Sequence, residues 1–266
     1  MNLIPKSKVL IIAGSDSGGG AGIQADIKTV TALGSYAMTA ITAVTAQNTR
    51  GVKTIKSIPT KNVQEQLTMV LNDIGANGVK IGMLRNSNII KCVYGILKKY
   101  KLRNIVLDPV MFAKDGTKLI NSSAIEYLRK LLFPLSNVVT PNIPEAEMIT
   151  GYSILNKENM VKAAKKILSM GSKNVLLKGG HLKNKMMYDI LVTKKEIKIF
   201  SKKKINTKNT HGTGCTLSSA LATCLSQRKN VIESCKISLK YVNRGIVSAP
   251  NYGKGFGPLN HLNSFN

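Results

Sequence analysis

Val9-Leu10-Ile11-Ile12-Ala13-Gly14-Ser15-Asp16-Ser17-Gly18-Gly19-Gly20-Ala21-Gly22 opens with an unbroken apolar run and then places five glycines in nine residues. The apolar half shows no alternation, the pattern of a strand covered on both faces, as in a parallel sheet with helices above and below. Gly14 is expected to stop it. The glycine-rich half leads into Ile23-Gln24-Ala25-Asp26-Ile27-Lys28-Thr29-Val30, which reads as a helix. Strand, loop and helix in that order predict a substrate-contacting loop at a strand's carboxyl end, where sites of open α/β sheets lie; a flexible turn is the alternative. The spacing matches neither G-x-x-x-x-G-K-[ST] nor G-x-G-x-x-G, which excludes those two nucleotide loops.

The same alternation continues outward. A second strand over 36–46 ends at Gln47-Asn48-Thr49-Arg50-Gly51, where the Gln47 amide can read a small heterocycle or simply decorate a turn. A helix is expected over 60–73, a strand with its exit loop over 78–84, and a helix over 87–99. The strand 104–107 stops at Asp108-Pro109, which releases a carboxylate suited to Mg²⁺ or to a turn. A helix over 121–132 and a strand over 137–139 lead to Thr140-Pro141-Asn142-Ile143-Pro144-Glu145. Asn142 and Glu145 can face one site from a helix start, or serve its dipole. Beyond a helix over 157–170 and a strand over 174–177, Lys178-Gly179-Gly180-His181 suits phosphate contact, though lysine is abundant enough to make this ordinary surface. A hairpin over 187–201 and helices over 216–226 and 230–249 complete the pattern.

Before the first of those two helices stands Asn209-Thr210-His211-Gly212-Thr213-Gly214-Cys215-Thr216. Glycines ahead of a helix let backbone N–H groups approach a phosphate or transferring phosphoryl group at the positive dipole end. The alternative is a turn capped by Thr210 or Thr213.

Every polar signal falls at a strand's carboxyl end, so the expected fold is α/β, a three-layer α/β/α arrangement on a mostly parallel central sheet. The 266 residues suffice for a single domain spanning 1–266. Four cysteines without paired-ligand spacing, and a start lacking a signal-peptide apolar core, point to the cytoplasm. No apolar run reaches membrane-spanning length, so no membrane partner is expected. The net charge of +26 invites nucleic acid, but only six of the 39 basic residues are arginine, tryptophan is absent, and the lysines are dispersed. No nucleic-acid partner is expected.

The stretches 13–26, 45–49, 80–83, 108–110, 140–146, 178–181 and 209–215, taken in order, resemble the ribokinase-like superfamily. Within it they are similar to the hydroxymethylpyrimidine/phosphomethylpyrimidine kinases of thiamine biosynthesis. The resemblance implies ATP and Mg²⁺ as cofactors, a small pyrimidine alcohol and then its monophosphate as acceptors, and a homodimer. It also implies substrate contacts from Gln47, Gly14, Asp16, Gly20, Ala21, Asp26 and Met83, with Asp108 and Glu145 serving the metal. Nucleotide contacts would come from Lys178, Asn142, Thr210 and Thr213, an anion hole from Gly212 and Gly214, and a base for the alcohol step from Cys215. Pyridoxal kinase is the nearest alternative, and a nucleic-acid-binding protein on an inactive kinase fold a remote one.

Overall fold

The computed structural model describes residues 4–180, 182 and 186–262. Among these, nine strands form one sheet: β1 (Lys8–Asp16), β2 (Tyr36–Asn48), β3 (Gly51–Ser57), β4 (Gly78–Ile81), β5 (Ile105–Leu107), β6 (Val138–Val139), β7 (Asn174–Lys178), β8 (Met186–Thr193) and β9 (Ile197–Lys203). Their order is β3-β2-β1-β4-β5-β6-β7-β8-β9. The inner strands β2, β1, β4, β5, β6 and β7 are parallel, and β3, β8 and β9 are antiparallel additions at the edges. The helices are α1 (Gly22–Ala32), α2 (Thr60–Asp73), α3 (Ser87–Lys99), α4 (Ser122–Tyr127), α5 (Ile143–Thr150), α6 (Lys157–Leu168), α7 (Thr213–Ser226) and α8 (Val231–Val247).

The two covered faces explain the unbroken apolar run. Leu10 and Ile12 of β1 point into a core shared with α2 to α6, whereas Val9, Ile11 and Ala13 point into a second core with α1, α7 and α8. A two-residue side-chain period therefore gives apolar residues at every position, each contributing roughly 1.5–3 kcal/mol on burial. Three layers result. The chain leaves β1 for β2 on one side and later returns to β4 on the other, so the carboxyl ends of β1 and β4 flank the point where strand order reverses.

Three details differ from the sequence reading. β1 does not stop at Gly14 but runs on to Asp16, with a register shift between Ala13 and Ser15 that absorbs the glycine. The polar tip after Ala46 is strand, because β2 continues to Asn48 and turns back as β3. The helix expected over 121–132 changes pitch, its second half being the π-helical turn Leu128–Leu132.

The α1–β4–α7 junction holds a buried ion pair. Lys80 Nζ lies 2.7 Å from Asp26 Oδ2, both side chains fully excluded from solvent, and Ser219 of α7 donates to Asp26 Oδ1 at 2.7 Å. Burial works against the Lys80 charge, but Asp26, together with Cys215 and Asp108, outweighs it and holds the ammonium above the usual lysine range. Removing one partner strands a charge at a cost of about 3–5 kcal/mol, whereas replacing both by apolar groups is close to neutral. Accordingly Lys80→Met is expected to lower the urea midpoint markedly, with the Lys80→Met/Asp26→Leu pair recovering most of the loss.

Candidate active site

The glycine-rich loop is shaped by one carboxylate. Asp16 Oδ1 accepts from the Gly18 N–H at 2.8 Å, and Oδ2 accepts from the Gly20 and Ala21 N–H groups at 3.1 and 2.8 Å. His211 Nε2 completes the set, 2.8 Å from Oδ2. Burial pushes this carboxyl upward, yet His211 and the backbone donors prevail and hold it below the ordinary aspartate range. Asp16 thus builds the loop from within. Gly14 belongs to the same surface: a Cβ there would fall 2.2 Å from Met83 Cε, so Met83 closes the loop's inner side. Gly20 is equally confined, since its Cβ would meet His211 Cδ2 at 2.4 Å.

Across from this loop, α7 begins without a side-chain cap. Its N-cap is Gly212 itself, at φ 79°, so neither Thr210 nor Thr213 caps the helix; Thr213 Oγ1 donates instead to the Thr210 carbonyl at 3.1 Å. A Cβ on Gly212 would lie 1.8 Å from the Gly20 carbonyl oxygen. Glycine is required there twice, by conformation and by contact. Gly212→Ala is expected to destabilise the fold by more than the ~1–2 kcal/mol of left-handed strain alone, measurable by urea unfolding.

The helix start faces a charged pair. Lys178, at the end of β7, donates to Asp108 Oδ1 at 2.8 Å, and a Cβ added to Gly214 would sit 3.2 Å from Lys178 Nζ and 3.5 Å from Asp108 Oδ2. Thr140 donates to Asp108 at 3.2 Å. Lys178 keeps its charge: burial opposes it, but Asp108 and Glu145 raise its pKa. Glu145 is 3% exposed and its pKa is pushed up to about 7, chiefly by burial and against the pull of Lys178. Asn142 and Glu145 form a reciprocal capping box on α5, with the Asn142 side-chain oxygen accepting from the Glu145 N–H at 2.9 Å. Cys215, one residue past Gly214, is half-buried; burial pushes its thiol up to about 11, while Lys80 and the Gly22 N–H act in the opposite sense.

Gly14 therefore meets Met83, Gly20 meets Gly212 and His211, and Lys178 gathers Asp108 and Glu145 beside Gly214, so the predicted residues form two groups, one about the Asp16 loop and one about Lys178 at the start of α7. Asp26 is not among them. It lies wholly inside the protein, spent on Lys80 and Ser219, because the start of α1 turns its side chain toward α7. His181 lies outside the described residues. The sequence reading missed His211, although it stands inside the Asn209–Thr216 stretch beside the essential Gly212. It also gave Lys80 no role of its own.

A cation and a helix N-terminus gathered where parallel strands end describe a phosphotransferase. The chain belongs to the phosphomethylpyrimidine kinase family, whose model matches residues 16–260. It is 48% identical over 97% of its length to the thiamine biosynthesis bifunctional protein ThiED of Geobacter sulfurreducens, of which it spans only about half, 53%. It is also 45% identical to the hydroxymethylpyrimidine/phosphomethylpyrimidine kinase of Haemophilus influenzae, covering 96% of both chains. Among solved structures, the pyridoxal kinase of Staphylococcus aureus in complex with AMP-PCP and pyridoxal superposes with a TM-score of 0.90 at 31% identity, covering 98% of this chain and 94% of that one. Among the described residues no helix is long and apolar enough to cross a membrane.

Proposed function

We propose that the chain transfers the terminal phosphoryl group of ATP to the 5-hydroxymethyl group of 4-amino-5-hydroxymethyl-2-methylpyrimidine, and then a second phosphoryl group to the resulting monophosphate. The observation that carries this reading is the meeting of Lys178, Asp108 and the glycine-opened start of α7 opposite the Asp16 loop. Two buried carboxylates, one of them raised to about 7 chiefly by burial, are oxygen donors of the kind a hard divalent ion takes. Their oxygens already accept from Lys178 and from backbone N–H groups, so Asp108 and Glu145 fit Mg²⁺ held through its water shell. Bound Mg²⁺ would supply charge neutralisation on the phosphate oxygens.

The chain's own groups carry the rest. Lys178 and the N–H groups of 212–215 stabilise negative charge on the transferring phosphoryl, in fixed positions that need no reorganisation. The Asp16 loop, Met83 and Gln47 hold the ring so that the acceptor oxygen lies in line. In the first transfer the Cys215 thiolate takes the hydroxyl proton as the new O–P bond forms and the bond to ADP breaks. A monophosphate acceptor is already ionised and asks for no base. The 1–266 chain works as one kinase domain, in the cytoplasm and as a homodimer, which sedimentation checks; the dispersed lysines serve no nucleic acid, and low-micromolar RNA binding at physiological salt would contradict that.

Pyridoxal kinase is the second reading, favoured by the close superposition on the Staphylococcus enzyme. Relatives at 45–48% identity favour the pyrimidine. ADP release measured side by side with hydroxymethylpyrimidine and pyridoxal decides between them: faster turnover of the pyrimidine is expected, and faster turnover of pyridoxal would reverse the assignment.

A further inference from the structure

Asp189 is a buried carboxyl that the proposed transfer does not use. It stands on β8, 4% exposed, directly across the ladder from Lys178. Leu176 and Leu191, each two residues from one of the pair, point into the core shared with α7 and α8, so Lys178 and Asp189 occupy that same face of the sheet. Their side chains part there: the Lys178 ammonium reaches Asp108 at 2.8 Å, while Asp189 turns to the main chain. The Lys178 N–H donates to the Pro141 carbonyl at 2.8 Å on the side of β6, so the next N–H, that of Gly179, faces β8. A ladder carried one step further would offer it the Tyr188 carbonyl. Instead that oxygen lies where a Cβ on Gly179 would overlap it, and Asp189 Oδ1 accepts from the N–H at 3.1 Å. β7 therefore ends at Lys178 because a side chain has replaced the next carbonyl. Burial pushes the Asp189 pKa up, against the pull of the Gly179 N–H, Lys202 and Lys178. A leucine would fill the same space without burying a polar group, so the acceptor is what this position supplies.

We infer that Asp189 is a positioning residue for Lys178: by taking the Gly179 N–H it ends β7 at the lysine and fixes the peptide from which the ammonium reaches Asp108. This rests on the phosphoryl-stabilising role proposed above for Lys178. Asp189 acts through the lysine and not on the phosphoryl group or the acceptor. Without its carboxylate, the Gly179 N–H has the Tyr188 carbonyl as the ladder's next acceptor, and the peptide rotates toward it. A rotation of that kind moves the lysine side chain by on the order of 1 Å, a displacement that can cost a positioned group about a hundredfold.

The test is a double-mutant cycle on kcat, with Asp189→Leu and Lys178→Met made singly and together. Asp189→Leu is expected to lower kcat on both acceptors by about 10- to 100-fold, while KM for the pyrimidine holds within about twofold. In the Lys178→Met background the same change should cost less than about twofold, because no ammonium is left to misplace. Asp189→Asn keeps an oxygen for the Gly179 N–H and should restore most of the rate. An equal loss with and without Lys178, or an Asn variant as slow as the Leu one, would overturn the inference; general loosening of the fold makes no distinction between the two backgrounds. Should Asp189→Leu fail to fold, Asp189→Ser, whose hydroxyl stops short of Gly179, enters the same cycle with the same expectation. A Lys178→Met protein that keeps its full rate would instead sink the reading of Lys178, and this inference with it.

Discussion

Replacing Cys215 by alanine is expected to slow transfer to the hydroxymethyl substrate by about 10²–10⁴-fold, the range for loss of a positioned general base, and transfer to the monophosphate by less than about tenfold. The two acceptors differ in one respect that matters here: the alcohol must lose a proton and the phosphate need not. A thiol whose pKa stands near 11 is mostly protonated at neutral pH, so its thiolate is scarce but strongly basic. The sign of the pH dependence follows. Because the pKa is raised, the thiolate fraction keeps growing as pH rises toward 11, and the alcohol step should accelerate up to about tenfold per unit between pH 7 and 9. Transfer to the monophosphate should lack that slope. Initial rates on each acceptor, with and without Cys215, check both statements, and equal loss on both acceptors would remove Cys215 from the role of base.

Lys178→Met is expected to reduce both transfers by about 10²–10³-fold, the cost of deleting one fixed charge-stabilising donor. Unlike the cysteine change, this one is expected to make no distinction between acceptors, because Lys178 lies 2.8 Å from Asp108 and beside Gly214, where the proposed function places the phosphoryl rather than the acceptor. Its removal also deprives Asp108 and Glu145 of their cation, since Lys178 is what draws the Glu145 pKa downward. The half-titration of Glu145 should therefore move above about 7, and stability should fall more steeply as pH rises, since a carboxyl raised in the folded state contributes stability that is lost on ionisation. Single-turnover rates on both acceptors, with urea midpoints at pH 6 and 8, separate the catalytic loss from the structural one.

Much of the layout can be read directly from the chain, because it is written in local chemistry. α2 and α3 begin and end where periodicity and caps place them, Asn86 capping α3 through the Ile89 N–H. Gly212 and Gly214 likewise announce a close approach of backbone. β3 gives no such signal: Gly51-Val52-Lys53-Thr54-Ile55-Lys56-Ser57 is an edge strand with partly exposed polar residues, and its register comes from pairing with β2. Asp26 misleads for a related reason. An acid just after a glycine-rich loop suggests a ligand contact, and only the packing of β4 and α7 shows that its partner is Lys80, 54 residues away in sequence. His211 was hidden by the opposite circumstance, since its partners Asp16 and Gln47 are 195 and 164 residues distant.

The contact between Gly212 and the Gly20 carbonyl has a metric meaning. The turn proposed to receive the phosphoryl group and the loop proposed to receive the ring rest on each other backbone to backbone, with no side chain between them to give way. In that reading the span from ring to reacting oxygen is set by the fold as by a ruler. Lengthening the hydroxymethyl arm by one carbon displaces the oxygen by about 1.5 Å, further than the ~1 Å that already costs a hundredfold. A hydroxyethyl homologue should bind and yet be turned over at a small fraction of the rate.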